Sequence, residues 1–129
     1  MRAARWRDVL GRVESGQKIF VALQDAALVG FAGVGPARDE AGDRGELYMI
    51  NVLPSAWGTG AATALLDHSL QALAKLGHRE AILWVLRQNA RARRFYRREG
   101  FAEEGDRHDT IEENGFSFEV DEIRCVRAL

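Results

Sequence analysis

Pro54-Ser-Ala-Trp-Gly-Thr-Gly-Ala-Ala-Thr63 follows the apolar run Leu47-Tyr-Met-Ile-Asn-Val52 and leads into an apolar-periodic stretch beginning near Ala61. The order reads as a strand, a tight loop of small residues and the start of a helix. Such a junction leaves backbone N–H groups without helical partners at the positive end of a helix dipole. That is a place for an anionic group such as a pyrophosphate. On the loop alone a second reading stands beside it: Gly58 and Gly60 simply make a tight strand-to-helix turn. A nucleotide triphosphatase loop needs a lysine to reach the outer phosphates, and residues 54–63 contain none. A dinucleotide fingerprint needs a third glycine where Thr63 stands, and an acid closing the next strand. Here His78 precedes that strand, and Arg79-Glu80 open it rather than end it.

The rest of the chain sets bounds. Its 129 residues suit one domain, 1–129, with one core. A formal charge of -1 gives no global attraction to nucleic acid or to an anionic membrane. Of 18 basic side chains, only Lys18 and Lys75 are lysines. Cys125 is the single cysteine, so no internal disulfide forms; its apolar neighbours suggest a core thiol. No apolar run approaches the ~20 residues of a membrane span, and the first residues lack the apolar middle of a secretory signal. The cytoplasm is the expected compartment. His68, His78 and His108 are too scattered for a metal set, so no metal is expected.

Periodicity places the elements. Trp6, Leu10 and Val13 predict a helix over 2–14. Ile19-Leu23 and Leu28-Val34 predict a hairpin, although Asp25-Ala26 offers no Gly or Asn for positive φ. After a polar loop over 36–45 come a strand over 46–52 and a helix from about Gly58 to Lys75, with Leu66, Leu70 and Leu73 on one face and Gly77 as its cap. Ala81-Val85 reads as a buried strand. A short helix over 90–99 stops at Gly100. Two strands follow, around Phe101 and over 118–126, joined by a polar segment over 105–115.

A second segment decides between the readings of the loop. Asn89-Ala-Arg-Ala-Arg-Arg-Phe-Tyr-Arg-Arg-Glu-Gly-Phe101 lies just past the next strand. Together the two segments resemble the GNAT superfamily of acetyl-CoA-dependent N-acetyltransferases. Gly60 and Ala62 match that family's Gln/Arg-x-x-Gly-x-Gly/Ala loop. Asn89, Ala92, Phe95, Tyr96, Gly100 and Phe101 match its downstream Asn-x-x-Ala-x-x-Phe-Tyr-x-x-x-Gly-Phe segment. The detailed match covers residues 46–101, and the order of elements extends it to about 17–127.

The resemblance implies an α/β (α+β) fold: a mixed, mostly antiparallel sheet with a splayed central parallel strand pair, 46–52 and 81–85, and helices on both faces. It implies acetyl-CoA as the donor substrate. The backbone of Ile50, Asn51 and Val52 would pair with the pantetheine amides, with an N–H near Val52 aimed at the thioester carbonyl. The amides of Gly58, Thr59, Gly60, Ala61, Ala62 and Thr63 would hold the pyrophosphate. Tyr96 stands at the general-acid position and would protonate the departing sulfur; the alternative is a core tyrosine packed on the sheet. Glu46 stands where many members place a base, or is an edge carboxylate in solvent. Asn89 would contact the pantetheine or a bound water, a role compatible with simple helix capping. Trp57 departs from the family's Gln or Arg, which removes the expected side-chain contact to phosphate. Arginines over 87–98 lie near the adenosine 3′-phosphate in that reading, or form a solvated helix face.

The implied activity is transfer of an acetyl group from acetyl-CoA to a primary amine of a small molecule or peptide by direct attack. The competing reading is a catalytically impaired acyl-CoA-binding or regulatory domain of the same fold. A usual family member opens with a strand and a helix before the helix expected here. Without that strand Ile19-Leu23 is a bare apolar edge, which predicts a homodimer covering it. The loops over 36–45 and 105–117 border the acceptor site in this reading, and both carry acids: Asp39, Glu40 and Asp43, then Asp109, Glu112 and Glu113.

Overall fold

The computed structural model describes residues 5–9, 16–38 and 43–129, the first stretch as backbone. The chain divides after Ala81 into two compact units, the second being Ile82–Arg127, while Ala128–Leu129 belong with the first.

In the first unit, strands β1 (Arg5–Val9), β2 (Lys18–Gln24), β3 (Ala27–Pro36) and β4 (Gly45–Val52) pair antiparallel in chain order. Two expectations fall with β1. Arg5–Val9, including Trp6, is a strand and not part of a helix, while Leu10 and Val13 lie outside the described residues. Three apolar residues at helical spacing do not outweigh the row of backbone groups along β2, which a strand satisfies and a helix does not. The edge expected to be bare is therefore covered: Val9 pairs with Ile19 and Arg5 with Leu23. The argument for a second copy over that edge goes with it.

The β2–β3 turn forms despite its residues. Asp25 and Ala26 take φ of 52° and 66°, the left-handed pair a two-residue hairpin requires. Helix α1 (Ala61–Lys75) lies across β2, β3 and β4. It buries Leu65, Leu66, Leu70 and Leu73 against Phe20, Ala22, Ala32, Val34 and Leu47, and leaves Asp67, Gln71 and Lys75 exposed. Gly77, at φ 96°, follows its last turn as expected. The helix starts at Ala61, not Gly58, because Gly58 and Gly60 hold φ of 77° and 89° outside the helical region.

In the second unit, β5 (Glu80–Leu86) leads to α2 (Ala90–Arg98), then to β6 (Ala102–Glu113) and β7 (Phe116–Ala128), with strand order β5-β7-β6. Ile82, Leu83, Val85, Tyr96, Phe101, Ile123 and Cys125 form its core. The polar segment over 105–115 is not a loop. β6 runs to Glu113, and Asn114-Gly115, with φ of 51° and 79°, closes a hairpin in which Glu113 opposes Phe116. Its charges pair across the ladder: Arg107 with Glu122 at 2.9 Å and Arg124 with Glu104 at 2.8 Å. A strand whose polar residues find cross-strand partners needs no apolar alternation, which is why the pattern read as loop. The Asn-Gly pair is the signal that could have revealed it.

Ala26 is the weak point of the β2–β3 hairpin, since a side chain in the left-handed region costs about 1–2 kcal/mol. Ala26→Gly removes that strain, offset in part by the greater entropy lost by glycine. The expected outcome is a net gain of about 0.5–1 kcal/mol in denaturant unfolding; a loss of stability would contradict the assigned turn.

Candidate functional site

The anion cradle is built by the first unit alone. β4 ends at Val52, and a turn of 3-10 helix over Pro54–Ala56 carries the chain to Gly58 and Gly60. Thr59 is tied back to Ala56 C=O by its hydroxyl at 2.6 Å and its N–H at 3.3 Å. Gly60 is the N-cap of α1 and brings no capping side chain. The first-turn amides at Ala61 and Ala62 therefore precede the first possible helical acceptor. A Cβ placed on Gly58 or Gly60 meets nothing within 4 Å. The loop thus presents bare backbone to open space at a helix N-terminus, as a pyrophosphate requires.

Trp57 accounts for its own departure from the family pattern. Its indole N–H donates to Val52 C=O at 3.0 Å. That side chain ties the loop to the end of β4. Leu53 N–H donates to Val29 C=O at 2.8 Å, and Asn51 and Val52 oppose Phe31 and Gly30. Residues alternate in direction along an antiparallel ladder. Ile50 and Val52 therefore turn their N–H groups away from β3, while Asn51 turns toward it.

Glu46 is not an edge carboxylate in solvent. It is 1% exposed, and Arg38 holds it through the backbone N–H to Oε1 at 3.0 Å and the guanidinium to Oε2 at 2.9 Å. Sequence reasoning missed Arg38, which sits in a stretch read only as a polar loop. Of the acids expected in that loop, Asp39 and Glu40 lie outside the described residues, and Asp43 gives its carbonyl to His78 Nδ1 at 2.6 Å.

The second unit holds the remaining site residues. Asn89 Oδ1 accepts from Ala92 N–H at 3.0 Å and caps α2, as its position implied. Two turns after Asn89, Tyr96 is buried, with its ring edge-on to Phe101 at 5.8 Å and to Phe95 at 5.3 Å. Burial holds its hydroxyl well above the ordinary tyrosine value of 10.0, and the nearby Cys125 adds to the shift. Tyr96 is thus a buried phenol that stays protonated at neutral pH. Burial also pushes the Cys125 thiol up to about 11, with Glu103 adding to it, in keeping with a core thiol.

The arginines over 87–98 divide by their surroundings, with Arg97 belonging to both sets because it also lies 3.8 Å from Glu103. Arg87 pairs with Asp121 at 2.9 Å and Asp106 at 2.7 Å, and Arg93 with Glu103 at 2.9 Å. These two are committed to the fold. Arg91, Arg94, Arg97 and Arg98 line an open depression of about 430 Å³ on α2. Among the described residues no group of His, Cys, Asp and Glu could hold a metal ion.

The chain matches the model of the acetyltransferase (GNAT) family over residues 2–101. An uncharacterized N-acetyltransferase of Mycobacterium tuberculosis is 35% identical over 109 residues, which cover 83% of this chain and 65% of that one. A mycothiol acetyltransferase of Frankia casuarinae is 35% identical over 108 residues, covering 78% of this chain and 29% of that one. The chain thus spans less than two thirds of the length of these relatives. A GNAT acetyltransferase of Elizabethkingia anophelis, solved with acetyl-CoA bound, superposes with a TM-score of 0.77 at 14% identity, covering 100% of both chains.

Two outcomes follow from the site's geometry and charge. In the unfolded chain Tyr96 ionises near its ordinary value of 10.0, while the folded group, raised above it, stays neutral. Its contribution to stability is complete below pH ~10 and is lost as pH rises through that value toward the folded one. The melting temperature of the native protein should fall more steeply above about pH 10 than that of Tyr96→Phe; parallel curves would remove the buried phenol. Cys125 should react with a thiol reagent at pH ~8 only after unfolding, and rapid labelling of the native protein would contradict its environment.

Proposed function

This chain belongs to the acetyltransferase (GNAT) family, and on that premise we propose that it transfers an acetyl group from acetyl-CoA to a primary amine of a small molecule or peptide. The observation that carries the proposal is the small-residue cradle at Gly58 to Thr63, continuous with a strand end whose Val52 N–H turns away from β3. The acetyl-CoA held by the related fold from E. anophelis agrees with that reading of the donor.

The chemistry assigns each group a role. The pyrophosphate takes the amides of Gly58, Gly60, Ala61 and Ala62, where glycine and alanine leave the backbone open; the Thr59 N–H, expected among them, is engaged by Ala56 C=O. Ile50 and Val52 offer the pantetheine the ladder groups of a strand edge, with Asn51 between them as their spacer. Val52 N–H takes the oxyanion that forms when the amine attacks the thioester carbonyl. The amine, with a free pKa near ~10, must first lose a proton; Glu46 is the proposed base, acting through water because it lies six residues back along β4 from Val52, roughly 20 Å at ~3.3 Å per residue. Collapse of the adduct forms the amide and breaks the carbon–sulfur bond. Tyr96, kept protonated by burial, donates to the departing sulfur. A thiol of pKa ~8.5 holds that proton less tightly than the resting phenol, so complete transfer is uphill. A hydrogen bond that strengthens as charge grows on sulfur therefore describes Tyr96 better than full proton donation in advance. Asn89 fixes the start of the helix that carries Tyr96.

The competing reading, a domain that binds acyl-CoA without turnover, drew on a late start that lacks the family's first strand and helix. β1 pairs with β2, which answers the part of that argument concerning the strand.

Thiol release from acetyl-CoA, followed against a panel of amines and peptides, tests the proposal. Turnover is expected with at least one amine. Tyr96→Phe should lower it by about 10²-fold or more while leaving the calorimetric affinity for CoA unchanged. Saturable CoA binding with no turnover on any acceptor would restore the binding-domain reading. Undiminished turnover in Tyr96→Phe would take the proton-donor role from Tyr96.

A further inference from the structure

Glu46, the second residue of β4, is 1% exposed, and both its oxygens are held by one residue eight positions earlier. Arg38 itself is 57% exposed. Its guanidinium lies over the Tyr48 ring, 4.4 Å from the centroid. Tyr48 in turn donates its hydroxyl to Pro36 C=O, and Ala37 N–H reaches Arg44 C=O at 3.0 Å. The two ends of the β3–β4 connection are thus fastened to each other and to the head of β4. A carboxylate removed from water this completely is tolerated only with a counter-charge and filled hydrogen bonds. Arg38 supplies both, from the solvent side.

We infer that Arg38 is the positioning residue for Glu46. Its guanidinium fixes the carboxylate in one orientation and covers it, so that proton uptake from the amine depends on how Arg38 sits. This rests on the reading of Glu46 as the base. A planar guanidinium that bonds a carboxylate edge and stacks on a tyrosine at once is a task lysine cannot fully take over. The cradle at Gly58 to Thr63 lies elsewhere in the unit and shares none of these bonds, so donor binding should be independent of Arg38.

A double-mutant cycle of Arg38→Ala and Glu46→Gln tests this. Arg38→Ala is expected to lower kcat about tenfold or more, with KM for acetyl-CoA within about twofold of native. Arg38→Lys should recover part of the loss. The combined variant should be no slower than Glu46→Gln alone, because Arg38 acts only through that carboxylate. Losses that multiply, or an unchanged kcat in Arg38→Ala, would overturn the inference. The same variants in denaturant unfolding separate it from the functional reading. Arg38→Ala should shift the folding equilibrium about five- to tenfold in the native background and much less in Glu46→Gln. Equal shifts in the two backgrounds would overturn the clamp whatever the activity. Coupled unfolding with no turnover on any amine would sink acetyl transfer and leave the clamp standing.

Discussion

The geometry of the cradle depends on the close approach of α1 to the β3–β4 ladder at Gly30. A Cβ there would stand 2.8 Å from Asn51 C=O and 3.2 Å from both Leu65 Cδ1 and Val52 Cγ2. No side chain fits, so the helix settles directly on the backbone. Leu65 and Leu66 are fully buried beneath it. A helix seated that closely cannot slide without opening a void in a close-packed core, so its N-terminus is fixed relative to the end of β4. The bond from Trp57 to Val52 C=O then fastens the intervening loop to that same strand end. Backbone groups become a specific site only when held this firmly, because each one contributes a modest hydrogen bond with no adjustable side chain.

Charge is handled in the opposite manner. Among its described residues the first unit buries one carboxylate, Glu46, and answers it with Arg38. The second unit surrounds its arginines with acids: Arg87 between Asp106 and Asp121, Arg93 against Glu103, Arg107 beside Glu122. Arg107 also stacks on Trp84 at 4.0 Å. The half-exposed pairs stabilise little individually. Their larger effect is to let two long polar strands, β6 and β7, share a ladder without an apolar stripe, and to set the register in which Arg107 faces Glu122.

These differences explain what the sequence could and could not show. α1, its buried leucines and its Gly77 stop were legible because a 3.6-residue period and a left-handed glycine are local facts. Asn89 as the cap of α2 was legible for the same reason. β1 was not: Trp6, Leu10 and Val13 carry a helical spacing, and only the unsatisfied edge of β2, remote in sequence, decides for a strand. The reach of β6 was hidden because its partners lie across a hairpin whose turn is two residues long. The turn at Asp25-Ala26 forms against local preference, since β2 and β3 must pair to carry α1. Arg38 was invisible because its partner is eight residues away across a connection read as polar and featureless.

The same contrast separates the two halves of the proposed reaction. Donor recognition is written in backbone geometry, and backbone geometry is encoded by where side chains are missing. Gly58, Gly60, Ala61 and Ala62 can therefore be read directly, and Trp57 can depart from the family's polar residue because the amides beside it do not need its side chain. In the proposed reaction acceptor recognition falls to side chains, whose contacts depend on distant residues and obey few local rules. The constraint at Gly30 acts on backbone, and it holds the candidate donor cradle without calling on any of them.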